Sequence, residues 1–323
     1  MSRLKQPEAF DNAPQGALSA AALPPGVTVL ERGWLSSNNI LIQGEAGTTL
    51  IDSGYCSHAP QTLALVKSAL QGRPLKQLIN THLHSDHCGG NAALQTAYPQ
   101  LQTLIPPGLA QFVCDWDAYA LSYIPTGQRC PQFRFDAVLQ PSTEMRLGDR
   151  QWQVHAAPGH DPHSVILFEP LSRVLISADA LWQRGFGVVF PELDGADAFT
   201  EVSDTLDLIE ALQPALVIPG HGAPFSDLPQ ALNVARQRLA AFVASPHKHI
   251  QYAAKVMVKF KLLEARQLAR ADLLTWAQGS PYLASMFTQV HANLSLEQSL
   301  DRLVQDLVRA GAATVHGNTL LDA

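Results

Sequence analysis

The sequence predicts an α/β protein: a four-layer αββα sandwich followed by a smaller, mainly helical domain. Three observations predict it. Between residues 27 and 218, short apolar runs alternate with amphipathic segments. That βαβα order puts helices on the faces of sheets. After Pro229 the β-like runs give way to helical periodicity. The charge changes with the texture. Residues 231–323 carry ten Lys/Arg and six Asp/Glu, whereas residues 1–230 carry twelve and twenty-two. The chain has 323 residues, and at about 150 residues per domain two domains are expected.

Composition narrows the class. With 46% hydrophobic and 15% charged residues, the chain is not disordered, collagenous or a coiled coil. A net charge of −6 excludes a uniformly basic nucleic-acid coat. The four cysteines, Cys56, Cys88, Cys114 and Cys130, form no CxxC pair and make no disulfide framework. Cys114 and Cys130 are expected to pair only in an oxidising setting. The opening MSRLKQPEAFDNAPQG has no apolar signal core, and no apolar run reaches 18 residues. The expectation is a soluble cytoplasmic protein without a membrane partner.

Residues 1–26, rich in Ala, Pro and Gly, read as an N-terminal arm. Strands are expected at 27–31, 39–43 and 48–52, separated by Arg32-Gly33 and Gly44-Glu45-Ala46-Gly47 turns. A helix over 59–71 and a strand over 75–80 follow, then a helix over 90–97 and a strand over 101–105. Residues 107–134 break the rhythm with Phe112, Trp116, Tyr119, Tyr123 and Phe133. Such an excursion from a regular scaffold is a candidate pocket wall or lid, with ordinary helical packing around Trp116 and Phe112 as the rival reading. Strands resume at 137–140, 151–156, 164–168 and 174–178, then a helix at 198–211 and a strand at 215–218. The first domain is thus placed at 27–230 and the second at 231–323. The second is expected to form helices at 231–244, 249–267, 271–277 and 296–310, ending in a hairpin around Gly317-Asn318. Helices followed by a terminal hairpin are the order of a winged-helix module.

The chemistry concentrates in Thr81-His82-Leu83-His84-Ser85-Asp86-His87-Cys88-Gly89-Gly90. Three His and one Asp follow an apolar strand, and such donors suit Zn²⁺ and similar divalent ions. Three more candidates end later β-like runs: His160 in a Pro-Gly-His corner, Asp179, and His221 in a second Pro-Gly-His corner. A lone His is usually a surface or core residue. Two such corners plus a strand-ending Asp are hard to explain that way.

The order HxHxDH, His, Asp, His resembles the metallo-β-lactamase-fold hydrolase superfamily over roughly residues 27–225. The resemblance implies the αββα fold with a dinuclear site. His82, His84 and His160 would hold one divalent ion, Asp86, His87 and His221 the second, and Asp179 would bridge both. Zinc is the first expectation, with Mn or Fe also suited to these donors. The implied reaction is hydrolysis by a metal-bridging hydroxide, with Asp86 also orienting the nucleophile. Within the superfamily the chain resembles the glyoxalase II and LACTB2-like branch, the latter for its helical extension.

Other residues are read against blander roles. Tyr119, Tyr123, Gln128, His163 and Arg184 are candidate substrate contacts. Cys88 reads as a small packed residue, because the ligand set is already full. Glyoxalase II-like enzymes carry a Gly-Cys-Gly-Arg type sequence where this chain has Trp182-Gln183-Arg184-Gly185. That departure speaks against a glutathione thioester. Lys255, Lys259 and Lys261 share one predicted helix and read first as a solvated face, with an RNA-gripping face as the rival. The expected function is hydrolysis of a small ester, thioester or lactone. A metal-dependent endoribonuclease is the alternative, and an iron-dependent redox enzyme of the same fold the third reading. Two apolar C-terminal helices also suit a homodimer.

Overall fold

The computed structural model describes residues 23–323. Most of the expected N-terminal arm therefore lies outside the described residues. Two compact units are present, and the larger spans residues 23–124 and 128–246.

The larger unit is built on two sheets. The first has six strands in sequence order: β1 (Val27–Leu30), β2 (Asn39–Gln43), β3 (Thr48–Ile51), β4 (Gln77–Ile79), β5 (Gln102–Ile105) and β6 (Ala137–Val138). The pairs β1–β2 and β2–β3 are antiparallel. From β3 to β6 the strands run parallel. The second sheet holds β7 (Thr143–Leu147), β8 (Arg150–Ala156), β9 (Val165–Glu169), β10 (Val174–Ala178) and β11 (Leu216–Pro219). Its order is β11-β10-β9-β8-β7, antiparallel except for the β10–β11 pair.

Alternation along the strands assigns the layers. Ile40, Ile42, Ile51 and Ile79 join Trp152, Val154, Val165, Leu167, Ile176 and Ile218 in one buried cluster, the core between the sheets. Their neighbours Leu41, Leu50 and Leu78 point the other way. They pack with Val66 and Leu70 of α1 (Ala59–Leu70) and with Leu94. A strand apolar on both faces, such as Asn39–Gln43, needs cover on both sides.

Further along come α2 (Ser85–Cys88), α3 (Asn91–Ala97), α4 (Ala110–Asp115), α5 (Tyr123–Thr126), α6 (Phe190–Leu193), α7 (Phe199–Leu212) and α8 (Leu228–Ala244). Helices α7 and α8 pack on each other, so α8 belongs to the larger unit. The sequence boundary near 230 thus differs from the structural division at 246/247 by one helix. Strand β7 was not anticipated. It is a polar edge strand, Thr-Glu-Met-Arg-Leu, and only the Gly148-Asp149 turn after it signals a hairpin. The insertion at residues 107–134 contributes to a small core that it shares with the donor loop. Val113, Leu121, Tyr123 and Phe133 pack with Leu83 and Cys88 of the donor loop.

The smaller unit comprises residues 247–323 and 125–127. It contains α9 (Pro246–Ala265), β12 (Gln267–Ala269), α10 (Arg270–Gln278), α11 (Pro281–Val290), α12 (Leu296–Arg309), β13 (Ala313–His316) and β14 (Thr319–Asp322). The last two form the expected hairpin, and β12 adds to it in the order β12-β14-β13. Helix α11 lies outside the expected elements, although Ser280-Pro281 is a start signal. Ser280 Oγ accepts from Leu283 N, with Pro at the first helical position. No helix among the described residues is long and apolar enough to cross a membrane.

Candidate metal centre

Four loops, each leaving the carboxyl end of a strand, bring the seven predicted donors together. They are the loops after β4, β8, β10 and β11. His82, His84 and His160 form one donor group, and Asp86, His87, Asp179 and His221 the other, with donor atoms within 4.8 Å of one another in each. The local backbone makes this division. His84 is extended, with φ −66° and ψ 149°, and α2 begins at Ser85. His82 and His84 flank Leu83 in the non-helical stretch before α2 and fall in the same donor group. The helical turn then swings Asp86 and His87 into the second group. Asp179 stands between the groups. One oxygen lies 3.4 Å from His87 Nε2, and the other 3.5 Å from His160 Nε2 and 3.8 Å from His221 Nε2.

Glycine makes room for these approaches. A Cβ on Gly220 would sit 2.2 Å from Asp179 Oδ1, and one on Gly187 2.3 Å from His160 Nδ1. This explains the Pro-Gly-His form of the His221 corner.

The donor set fits a divalent cation. His160 Nδ1 donates to Val188 O at 2.6 Å, which leaves Nε2 a lone pair. That nitrogen lies 2.8 Å from His84 Nδ1 and 3.3 Å from His82 Nε2. Three imidazole nitrogens converge where a cation would satisfy them all. In the second group, His87 Nε2 is buried and makes no hydrogen bond.

Electrostatics agree. Burial, then the neighbouring histidines, pushes His82 well below its ordinary pKa and His84 down to about 4. Both rings are therefore neutral, the form that binds metal. Burial opposes ionisation of Asp179, but His221 and His87 overcome it and hold its carboxyl well below the usual range. Asp86 is lowered in the same way by His87 and His221. Burial would lower His87, yet Asp52, Asp179 and Asp86 raise it well above the ordinary value. A cation at Nε2 would displace that extra proton.

The supporting shell was invisible in the sequence. Asp52 takes a left-handed φ of 56° at the end of β3. Its carboxylate accepts from Thr81 N at 2.9 Å and Thr81 Oγ1 at 2.8 Å, and lies 2.8 Å from His87 Nδ1. The His87 carbonyl accepts from Ser53 N, Ser53 Oγ and Asn80 Nδ2. Asn38 Nδ2 donates to Pro219 O and Gly222 O, on either side of His221. Aromatic rings also flank the cluster. Trp34, 44% exposed, stacks on His221 at 5.4 Å. Trp182 meets the His221 ring edge-on at 5.6 Å, and Phe190 meets His84 at 4.8 Å.

The expected substrate contacts fare differently. Tyr123 is buried. Its hydroxyl donates to Leu83 O at 3.0 Å and so braces the donor loop instead of facing a ligand. Tyr119 is 60% exposed at the surface of the insertion. The Gln128 side-chain oxygen accepts from Ser85 Oγ, which ties the insertion to the loop. His163 packs its ring against Gly108 and donates its backbone N–H to Asp161 Oδ1. Arg184 is exposed. Cys130 faces Cys88 at 3.8 Å and not Cys114, which is exposed.

A two-sheet sandwich carrying a His/Asp cluster at strand ends defines an α/β scaffold with a candidate metal centre. The sequence profile of the Metallo-beta-lactamase superfamily matches residues 32–221, and the chain belongs to that superfamily. It is 26% identical over 214 residues to the acyl-coenzyme A thioesterase MBLAC2 of Homo sapiens, covering 60% of this chain and 76% of that protein. It is 30% identical over 189 residues to hydroxyacylglutathione hydrolase of Anaeromyxobacter dehalogenans, covering 56% and 64%. Among solved structures, a beta-lactamase domain protein from Burkholderia ambifaria aligns with a TM-score of 0.57 at 22% identity, covering 95% and 96%.

Proposed function

We propose that this protein is a dinuclear metal-dependent hydrolase of a small ester, thioester or lactone. The observation that carries the reading is the complete seven-donor cluster flanked by the rings of Trp34, Trp182 and Phe190. His82, His84 and His160 would hold one ion, and Asp86, His87 and His221 the other, with Asp179 shared. Zinc fits the donors best, and Mn and Fe are alternatives. The metal would supply Lewis acidity, lowering the pKa of water toward neutrality and polarising an acyl carbonyl. The protein's own contribution is positional. Val188 O and Asp52 orient His160 and His87. Asp86 Oδ2 lies 3.1 Å from His221 Nε2, a carboxylate placed to accept a proton from attacking water. The exposed face of Trp34 offers apolar surface to an acyl group. The thioesterase and hydroxyacylglutathione hydrolase relatives support an acyl substrate.

The three lysines of the predicted basic face are paired with carboxylates, which disfavours an RNA grip. Lys255 pairs with Asp306 at 3.1 Å, Lys259 with Asp322, and Lys261 with Glu264 at 2.7 Å. The helices and three-stranded sheet of the smaller unit support a winged-helix-like reading without requiring RNA. The test is a parallel assay of metal-loaded protein on esters, thioesters, lactones and single-stranded RNA, with Asp86→Ala as the blank. Acyl turnover lost in Asp86→Ala is expected. RNA cleavage lost in the same variant, without acyl turnover, would overturn the reading.

A further inference from the structure

The sulfurs of Cys88 and Cys130 lie 3.8 Å apart, in van der Waals contact. The two residues are 42 apart in sequence and come from the donor loop and the insertion. Cys88 follows His87 directly and is fully buried. Its Sγ lies 3.3 Å from His84 O, 3.4 Å from Leu83 O and 3.2 Å from Tyr123 OH. Cys130 is partly exposed. The preceding residues are tied down: Ser85 Oγ donates to the Gln128 side chain, and Arg129 N donates to Tyr55 OH at 3.1 Å. One thiol is thus accessible, its partner is sheltered behind it, and both are anchored. A disulfide bond is about 2.05 Å long, so closure needs under about 2 Å of sulfur movement from this contact.

We propose that Cys130 and Cys88 form an oxidative modification site, converted to a disulfide by hydrogen peroxide. In the first step the Cys130 sulfur attacks one peroxide oxygen. The O–O bond breaks, Cys130 becomes a sulfenic acid, and one water leaves. In the second step the Cys88 sulfur attacks the Cys130 sulfur. The S–O bond breaks, the Cys88 proton leaves with the hydroxyl as a second water, and the S–S bond forms. The two sulfurs together lose two electrons, which reduce one peroxide to two waters. The burial of Cys88 sets the order, because only Cys130 meets the oxidant first. The bond links the insertion to the residue beside His87 and stiffens the donor loop against it.

The experiment treats full-length, metal-loaded protein with limiting hydrogen peroxide, then denatures and alkylates it. The expected result is the loss of two alkylatable thiols and a mass loss of two hydrogens. Peptide mapping should join Cys88 to Cys130, and dithiothreitol should reverse the change. Cys114→Ser should keep the crosslink, and Cys130→Ser should leave Cys88 fully alkylatable. A Cys130–Cys56 or Cys130–Cys114 crosslink overturns the proposal. So does over-oxidation of Cys130 with Cys88 still free. The wild-type map decides alone if Cys130→Ser fails to fold. None of these readouts depends on hydrolytic activity.

Discussion

At the scale of single residues, the centre depends on side chains that never reach the donor positions. Asp52 holds Thr81 and His87 at once. Removing such an outer carboxylate typically costs about 10–100-fold in metal affinity. Asp52→Ala is therefore expected to weaken metal binding by about that factor while the chain stays folded. A chelator-competition titration measures it, and unchanged affinity would remove Asp52 from the support. Gly220 makes a sterically sharper case. A methyl group there would meet Asp179 Oδ1 at 2.2 Å, so Gly220→Ala should displace Asp179 and lower the bound metal content. Elemental analysis of purified protein would show the loss, and wild-type stoichiometry would contradict it.

Among the elements, the strands carry the stability and the loops carry the chemistry. Leu41 is fully buried on the helix side of β2, while its neighbours Ile40 and Ile42 face the other sheet. Truncating it leaves a cavity between sheet and helices, since cores are close-packed. Leu41→Ala should cost about 2–5 kcal/mol by chemical denaturation, with metal content unchanged at low denaturant. A cost near zero would mean that α1 does not pack as described. Most strands were legible because buried apolar runs between turns have few other readings. The edge strand β7 was not, since its polar sequence looks like a loop until β8 pairs with it. The insertion 107–134 was legible as an interruption that could pack around Trp116 and Phe112, but not as a core shared with the donor loop. That depends on Leu83 and Cys88, which the chain supplies earlier.

The whole molecule adds a pH dependence that no local pattern announces. His249, in the smaller unit, is 1% exposed, and burial lowers its pKa to about 4. Its unfolded value is about 6.5. Between those values the unfolded chain binds a proton that the folded chain refuses, so stability falls as pH drops from about 6.5 toward 4. The His249 contribution is fully present above that window, and at most about 3 kcal/mol is lost across it. Thermal melts of His249→Asn should show a shallower decline between pH 7 and 5 than wild type. Parallel curves would assign the decline to other groups. The ligand histidines are common to both proteins and cancel in the comparison.

The donor set and the larger unit's layering were readable from the chain alone, for a physical reason. Few side-chain types can ligate a divalent ion, His and Asp among them, and here the candidates follow shortly after apolar runs. His82, His84, Asp86, His87, His160, Asp179 and His221 each sit in such a context, and the structure brings all seven together. Asp52, Asn38, Trp34 and Phe190 looked ordinary, because their meaning lies in contacts with residues 29 to 184 positions away in the first two cases. Tyr123 departs from its expected role for the related reason that an aromatic residue in an insertion can turn inward. Tyr123 does so, and its hydroxyl bonds the backbone of the donor loop. Periodicity shows which residues are apolar. Only packing shows what each of them faces.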